Sequence, residues 1–242
     1  MKGVILAGGT GSRLKPLTNV TNKHLLPIYD KPMIFYPIEA LRGAGIRDIL
    51  VITGKHHAGE VFSLLGSGKD FGVRFTFKVQ DEAGGIPQAI GLAEDFAGKE
   101  KFVSINGDNI VMESLRPFVD AFEKGKEESR ILLSETTEDE ARKAGVAVLE
   151  GEKVVKVVEK PPKPPSNFVV IGVYMYTPHV FSIIKSLKPS GRGELEIADI
   201  HNTYVERGTL AASRLSKPWL DAGSVDELAR ANRIMEEYSM KE

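Results

Sequence analysis

The sequence predicts an α/β fold: a Rossmann-like, mainly parallel sheet flanked by helices, with a smaller β-rich part in the second half. Three observations point there. Continuous apolar runs ended by turn residues recur in the first half, as buried central strands require. Stretches of helical period lie between them, which implies right-handed βαβ units. After about residue 136 the pattern turns hairpin-like. The 242 residues suit a single domain, 1–242, in which 1–135 carries the parallel sheet and 136–242 the hairpin and a C-terminal helix.

The elements follow in order. Val4-Ile5-Leu6-Ala7 is a buried strand ended by Gly8, Gly9 and Gly11. Met33 to Ala44 reads as a helix that Pro37 bends or starts late. Ile49 to Ile52 precedes Thr53-Gly54, and Phe102 to Ile105 precedes Asn106-Gly107-Asp108; both runs read as strands. Arg74 to Val79 is a further strand. Ile86, Ala89, Ile90, Ala93 and Phe96 share one face of a helix over 86–96. Glu123 to Lys143 holds seven acidic and five basic residues and reads as solvated surface. Val146 to Glu150, Gly151-Glu152 and Lys153 to Glu159 form a hairpin. Pro161 to Pro165 is an extended loop, and Phe168 to Tyr176 a strand. Leu195 to Tyr204 and Ser224 to Tyr238 are helices, the second opened by a Ser224–Glu227 capping box.

Composition narrows the function. Apolar residues make up 42% and charged residues 27%, with a net charge of -1, so a strongly basic nucleic-acid binder is excluded. The absence of cysteine excludes a disulfide scaffold, a zinc–cysteine site and a cysteine nucleophile. No apolar run approaches the roughly 20 residues that span a bilayer, and the apolar stretch before Gly8 is too short for a signal peptide. The expectation is a cytoplasmic protein without nucleic-acid or membrane partners. His24, His56, His57, His179 and His201 show no metal-ligand spacing and are expected on the surface or in loops, His24 near phosphate.

The loop Gly8-Gly9-Thr10-Gly11-Ser12-Arg13 follows the first strand directly. Glycines there bring backbone N–H groups close to an anion. Read from Gly9, a dinucleotide G-x-G-x-x-G fails at Leu14, and the Gly-Lys-Ser/Thr of a P-loop is absent. Residues 1–29 carry Lys2, Arg13, Lys15 and Lys23 and no acidic side chain. Such a cationic loop suits a triphosphate; a tight turn with solvated cations is the bland alternative.

Leu6 to Leu14, with Pro16, Thr18 and Lys23, resembles the signature of sugar-phosphate nucleotidyltransferases. Leu25 to Pro37 resembles their glucose-1-phosphate thymidylyltransferase branch. Gly107-Asp108-Asn109, Glu159-Lys160-Pro161, Gly193 to Ile197 and Trp219-Leu220-Asp221 match further blocks in order.

The resemblance implies Mg²⁺-dependent transfer of a nucleotidyl group from dTTP, or UTP, to glucose 1-phosphate or another sugar 1-phosphate, releasing pyrophosphate. Residues 1–135 become the nucleotide-binding part and 136–242 the sugar-binding part with the C-terminal helix. Leu6, Ala7, Gly8, Gly9 and Gly11 would hold the nucleotide with Asp108. Arg13 would lie over the β- and γ-phosphates, Lys23 by the α-phosphate, and Gln80 and Gly85 at a pyrimidine base. Lys160, helped by Arg192, would grip the sugar phosphate. Asn109, Gly145, Glu159 and Val170 would complete that side. Asp108 and Asp221 would share the metal, although Asp221 could instead serve the turn before Ser224.

Pro87 and Asn106 depart from the family pattern, Asn106 replacing a leucine and so altering the pocket near the ribose. Two rivals remain: another sugar nucleotidyltransferase, or a non-catalytic, ligand-binding regulatory subunit. Self-association into a homo-oligomer is open. Longer relatives carry an added C-terminal helical segment that builds a secondary nucleotide site. Without it, inhibition by a dTDP-sugar is expected to be weak or purely competitive.

Overall fold

A computed structural model describes residues 1–191 and 193–240. The strand β1 (Lys2–Ala7) leads through the loop to β2 (Pro27–Ile28) and β3 (Lys31–Pro32). Then come α1 (Phe35–Gly43), β4 (Asp48–Gly54), α2 (Ala58–Leu65), β5 (Arg74–Gln80), α3 (Ile86–Gly91), α4 (Glu94–Ala97), β6 (Phe102–Asn106), β7 (Asn109–Val111) and α5 (Arg116–Lys124). The second half contains β8 (Ser129–Glu135), α6 (Glu138–Ala141), β9 (Gly145–Glu150), β10 (Lys153–Glu159), β11 (Phe168–Tyr176), α7 (Val180–Ser186), α8 (Ile197–Glu206), β12 (Leu210–Arg214), β13 (Trp219–Asp221) and α9 (Val225–Ser239).

The main sheet runs β10-β9-β11-β6-β1-β4-β5, with β8 and then β12 on the other edge of β11. β6, β1, β4 and β5 are mutually parallel, and β11 runs antiparallel to β6. Their apolar runs are continuous because both faces are covered. Val4, Leu6, Leu50, Ile52 and Phe102 pack beneath α3, α7 and α8. Ile5, Ala7, Ile49, Val51 and Ile105 pack beneath α1, α2 and α5. Each such Ile or Leu contributes about 1.5–3 kcal/mol by leaving water. A third cluster seats α9 on β2 and β13 through Leu228, Ala231 and Leu220.

Three expectations need correction. The stretch 123–143 is not all solvated surface. It contains β8, in which Ile131, Leu132 and Leu133 are buried between β11 and β12. The charges flank a short apolar core that tertiary pairing makes a strand. The helix over 86–96 is two helices: Leu92 N–H and Ala93 N–H bond three residues back, to Ala89 O and Ile90 O, after the poor helix former Gly91. His24 and His201 are buried rather than superficial. Pro37 lies in the first turn of α1, where a missing N–H costs no helical bond. Among the described residues no helix is long and apolar enough to cross a membrane.

Candidate active site

One cavity of about 390 Å³ opens beyond the carboxyl ends of β1 and β6, the edge where open α/β sheets bind ligands. It is lined by Leu6, Gly8, Gly9, Arg13, Lys23, Gln80, Gly85, Asp108, Asn109, Gly145, Glu159, Lys160, Val170 and Asp221. Ala7 is fully buried and, with Gly11, lies outside this lining. Arg192 falls outside the described residues.

The glycine loop is shaped from below. A Cβ at Gly8 would stand 2.3 Å from Gln80 Oε1, so the glutamine amide presses on bare backbone. Gly11 adopts φ 65 and opens the single turn Ser12–Leu14. Thr18 Oγ1 donates to its carbonyl at 2.7 Å, and Leu14 anchors the turn in the core. Arg13 is left with its side chain 61% exposed, 3.9 Å from Glu227 Oε2.

Charge concentrates deeper in. Lys23 Nζ donates to Asp108 Oδ2 at 2.6 Å, both side chains largely buried. Burial works to raise the Asp108 pKa, but the Lys23 ammonium and hydrogen bonds from Lys23 and Asn109 hold it well below the usual carboxylate range. The small antiparallel pair β7–β13 sets Asp221 opposite Asn109, and Ala222 N–H donates to Asp108 O at 3.0 Å. Two aspartates over a hundred residues apart in sequence thus meet at one wall. Burial, then the charges of Asp108 and Glu227, push Asp221 up to about 7. Asp221 Oδ1 also accepts from Gly223 N–H at 2.8 Å, so the turn-forming reading is realised beside the cavity-facing one.

Whether these groups fit a divalent cation follows from that electrostatics. Lys23 compensates one carboxylate, and burial beside the charges of Asp108 and Glu227 makes the second resist ionisation. Two carboxylates with phosphate oxygens and water are how Mg²⁺ is usually held on nucleotides. Among the described residues no cluster of three or more His, Cys, Asp or Glu could hold a metal by itself. Asp108 and Asp221 therefore fit a substrate-borne Mg²⁺ rather than a closed metal cage.

Gln80 is 8% exposed, and its Nε2 donates to Gln88 Oε1 at 2.7 Å, which also accepts from Gly84 N–H. Gly85 has φ 95, and a Cβ there would lie 2.4 Å from Leu195 O; only glycine serves. On the opposite side Lys160 leaves β10 with φ 43, its N–H donating to Ala144 O. Its Nζ lies 3.5 Å from Glu159 Oε1. Asn109 is occupied structurally. Its Oδ1 accepts from Gly172 N–H at 2.9 Å and Trp219 Nε1–H at 2.7 Å, and its Nδ2 donates to Asp108 Oδ1. It binds β7, β11 and β13 together and aims Asp108.

The family model described as nucleotidyl transferase matches residues 2–238. The chain belongs to this family. The transferase is 40% identical to the low-salt glycan biosynthesis nucleotidyltransferase Agl11 of Haloferax volcanii, over 100% of this chain and 68% of that protein. It is 39% identical to the glucose-1-phosphate thymidylyltransferase of Neisseria meningitidis, over 96% and 81%. A Bacillus anthracis crystal structure with bound sucrose, provisionally assigned as a glucose-1-phosphate thymidylyltransferase, superposes with a TM-score of 0.92. It is 51% identical and the match covers 97% of this chain and 94% of that one. The transferase acts on a nucleotide and a sugar 1-phosphate.

Several cavity residues of the transferase escaped the sequence reading. Behind the lining, Gln88 accepts from Gln80 Nε2, a contact that nothing local discloses. Tyr174, His201 and Trp219 reach the cavity from elements that reveal their partners only once folded. His24 N–H and Nδ1–H both donate to Asn22 Oδ1, at 2.9 and 2.8 Å. Burial, then the Lys23 charge, lowers its pKa to about 3; burial alone takes His201 to about 3.

Both histidine values lie below the ordinary 6.5, so the unfolded chain binds protons more readily than the folded one. Stability from the neutral imidazoles is full above about pH 6.5 and drains away as pH falls toward about 3. The urea midpoint of the transferase is expected to drop from pH 7.5 to 4.5, and less in His201→Gln. An equal slope in that variant would show that His201 does not drive the loss.

Proposed function

We propose that the chain transfers a thymidylyl group from dTTP to glucose 1-phosphate, with Mg²⁺ as cofactor, giving dTDP-glucose and pyrophosphate. The observation that carries this reading is the convergence of the glycine loop, the Lys23–Asp108–Asp221 cluster and the Glu159–Lys160 strand end on one cavity. The named thymidylyltransferase relatives support it.

An oxygen of the sugar phosphate attacks the α-phosphorus in line, forming one P–O bond as the bond to pyrophosphate breaks. No protein nucleophile is needed, and positioning with charge neutralisation does the work. Backbone N–H groups around Gly8 and Gly9 receive the triphosphate, and Arg13 covers its β- and γ-phosphates. Lys23 exchanges its carboxylate partner for the α-phosphate and the departing charge. Lys160 grips the sugar phosphate. Glu159 accepts from sugar hydroxyls, with backbone groups of Gly145 and Val170 beside it. Asp108 and Asp221 would hold Mg²⁺, which when bound supplies electrostatic stabilisation to the crowded phosphates. Gln80, fixed by Gln88, offers an amide to the pyrimidine edge.

Pyrophosphate release is measured with dTTP, UTP, ATP and GTP against a set of sugar 1-phosphates. The expected result is turnover with dTTP, visible turnover with UTP because one methyl is worth only about 1–3 kcal/mol, and little with purines. Gln80→Ala should cost about 1–3 kcal/mol in kcat/KM for pyrimidines. Equal rates with purine triphosphates would remove Gln80 from the reading. Binding of the nucleotide without release from any pair would instead support a ligand-binding regulatory subunit.

A further inference from the structure

The cavity floor is polar where packing alone would leave it apolar. Phe102, Ser104 and Asn106 alternate onto the sheet face beneath α3, α7 and α8. Asn106 pairs in register with Leu6 of β1. It crowds β11 so closely that a Cβ at Gly172 would lie 2.4 Å from its Nδ2. Its Oδ1 is buried with no hydrogen-bond partner, and Tyr174 lines the same cavity.

His201 of α8 presents a second such group. It is fully buried; Nε2 shares a 3.1 Å hydrogen bond with the Tyr176 hydroxyl, and Nδ1 has no partner. Its ring centre is 5.2 Å from that of Tyr174. Asn106, Tyr174 and His201 all line the cavity.

His201 stands close to Glu159, the residue proposed for the sugar. Asn202, beside His201, accepts from Val157 N–H at 2.8 Å and donates to Val157 O at 2.9 Å, which fastens α8 to β10 two residues before Glu159. Folded proteins pair nearly all their buried polar atoms, so two unpaired ones in a single cavity wall point to a ligand that completes them. A hydroxyl both donates and accepts, and so meets either end of an amide and either state of an imidazole nitrogen.

We propose that Asn106 and His201, braced by Tyr174, read a ring hydroxyl of the hexose 1-phosphate, so that the enzyme rejects the deoxyhexose 1-phosphate lacking it. This rests on the sugar 1-phosphate reading above. Asn106 and His201 are then specificity residues, and neither takes part in the bond exchange.

The test uses the full chain with saturating dTTP, comparing kcat/KM for glucose 1-phosphate and its monodeoxy analogues. One analogue should fall roughly 10–100-fold, the size expected when a buried polar group loses its partner, with the others within a few-fold. Asn106→Leu should bring glucose 1-phosphate down to the level of that analogue while the KM for dTTP holds. Asn106→Ser provides the same comparison if the leucine variant does not fold. A flat series in the wild-type enzyme, or undiminished discrimination in the Asn106 variants, overturns the proposal. Absence of turnover with every pair overturns the proposed function and this inference with it, and is distinct from turnover with a flat series.

Discussion

Lys23→Met is expected to lower kcat by about a hundredfold or more and to loosen the fold at the same time. The ammonium sits 2.6 Å from Asp108 Oδ2 with both side chains largely buried. Removing one member of such a pair strands the other charge, at about 3–5 kcal/mol of stability. The carboxyl of Asp108, held low by Lys23 against its own burial, would then titrate upward and take up a proton. Catalysis loses the group proposed to take the α-phosphate and the departing charge. Urea unfolding and steady-state kinetics separate the two effects. The double variant Lys23→Met/Asp108→Asn should regain much of the stability, since no lone charge remains, and none of the activity. A double variant as unstable as the single one would show that the pair is not what Lys23 contributes to folding.

For Asp221→Asn, activity and stability should part in opposite directions. With Mg²⁺ limiting, kcat is expected to fall by about a hundredfold or more, because the proposed Mg²⁺ site would lose one of its two carboxylates. The fold, by contrast, should gain in metal-free buffer. Burial and the charges of Asp108 and Glu227 put the Asp221 pKa at about 7 against an ordinary 3.8. Folded protein therefore holds that proton more tightly than unfolded protein does. Stability from this group is full below about pH 4 and is lost as pH rises through about 7. Asparagine has no such titration, so at pH 8 without divalent cation the variant should melt at a higher temperature than the parent. A lower melting point there, or near-parental turnover at limiting Mg²⁺, would sink the two-aspartate model.

The sequence foretold what depends on local order. β1, β4 and β6 are legible as unbroken apolar runs because both sheet faces are covered. α9 is legible from Ser224, whose Oγ accepts from Glu227 N–H. The glutamate's own carboxylate turns toward Arg13, a choice the capping pattern could not disclose. β8 was hidden because its apolar core is short and bracketed by charge. His24 and His201 read as ordinary polar positions, since their burial is decided by Asn22, Gly107 and the tyrosines of β11. Asn109 lines the cavity, and its sequence block does not disclose its hydrogen bonds to Gly172, Trp219 and Asp108. Those partners lie 63 and 110 residues away in two of the three cases, beyond the reach of any local pattern.

The strand β11 has a consequence for which sugars can be accepted. It borders β8 along one edge, with a register shift between Val170 and Tyr174. Along the other edge it meets β9 at Val169 and β6 from Val173 onward. Val170, proposed for the sugar, and Gly172, clamped to the asparagine that aims Asp108, thus belong to one extended backbone. The proposed donor and acceptor ends of the cavity are graduated on a single rule. A bulkier sugar has to be admitted by shortening side chains along that rule, not by spreading its ends. Engineering of acceptor range should therefore begin with the residues that stand on β6, β11 and α8, and leave the connecting loops alone.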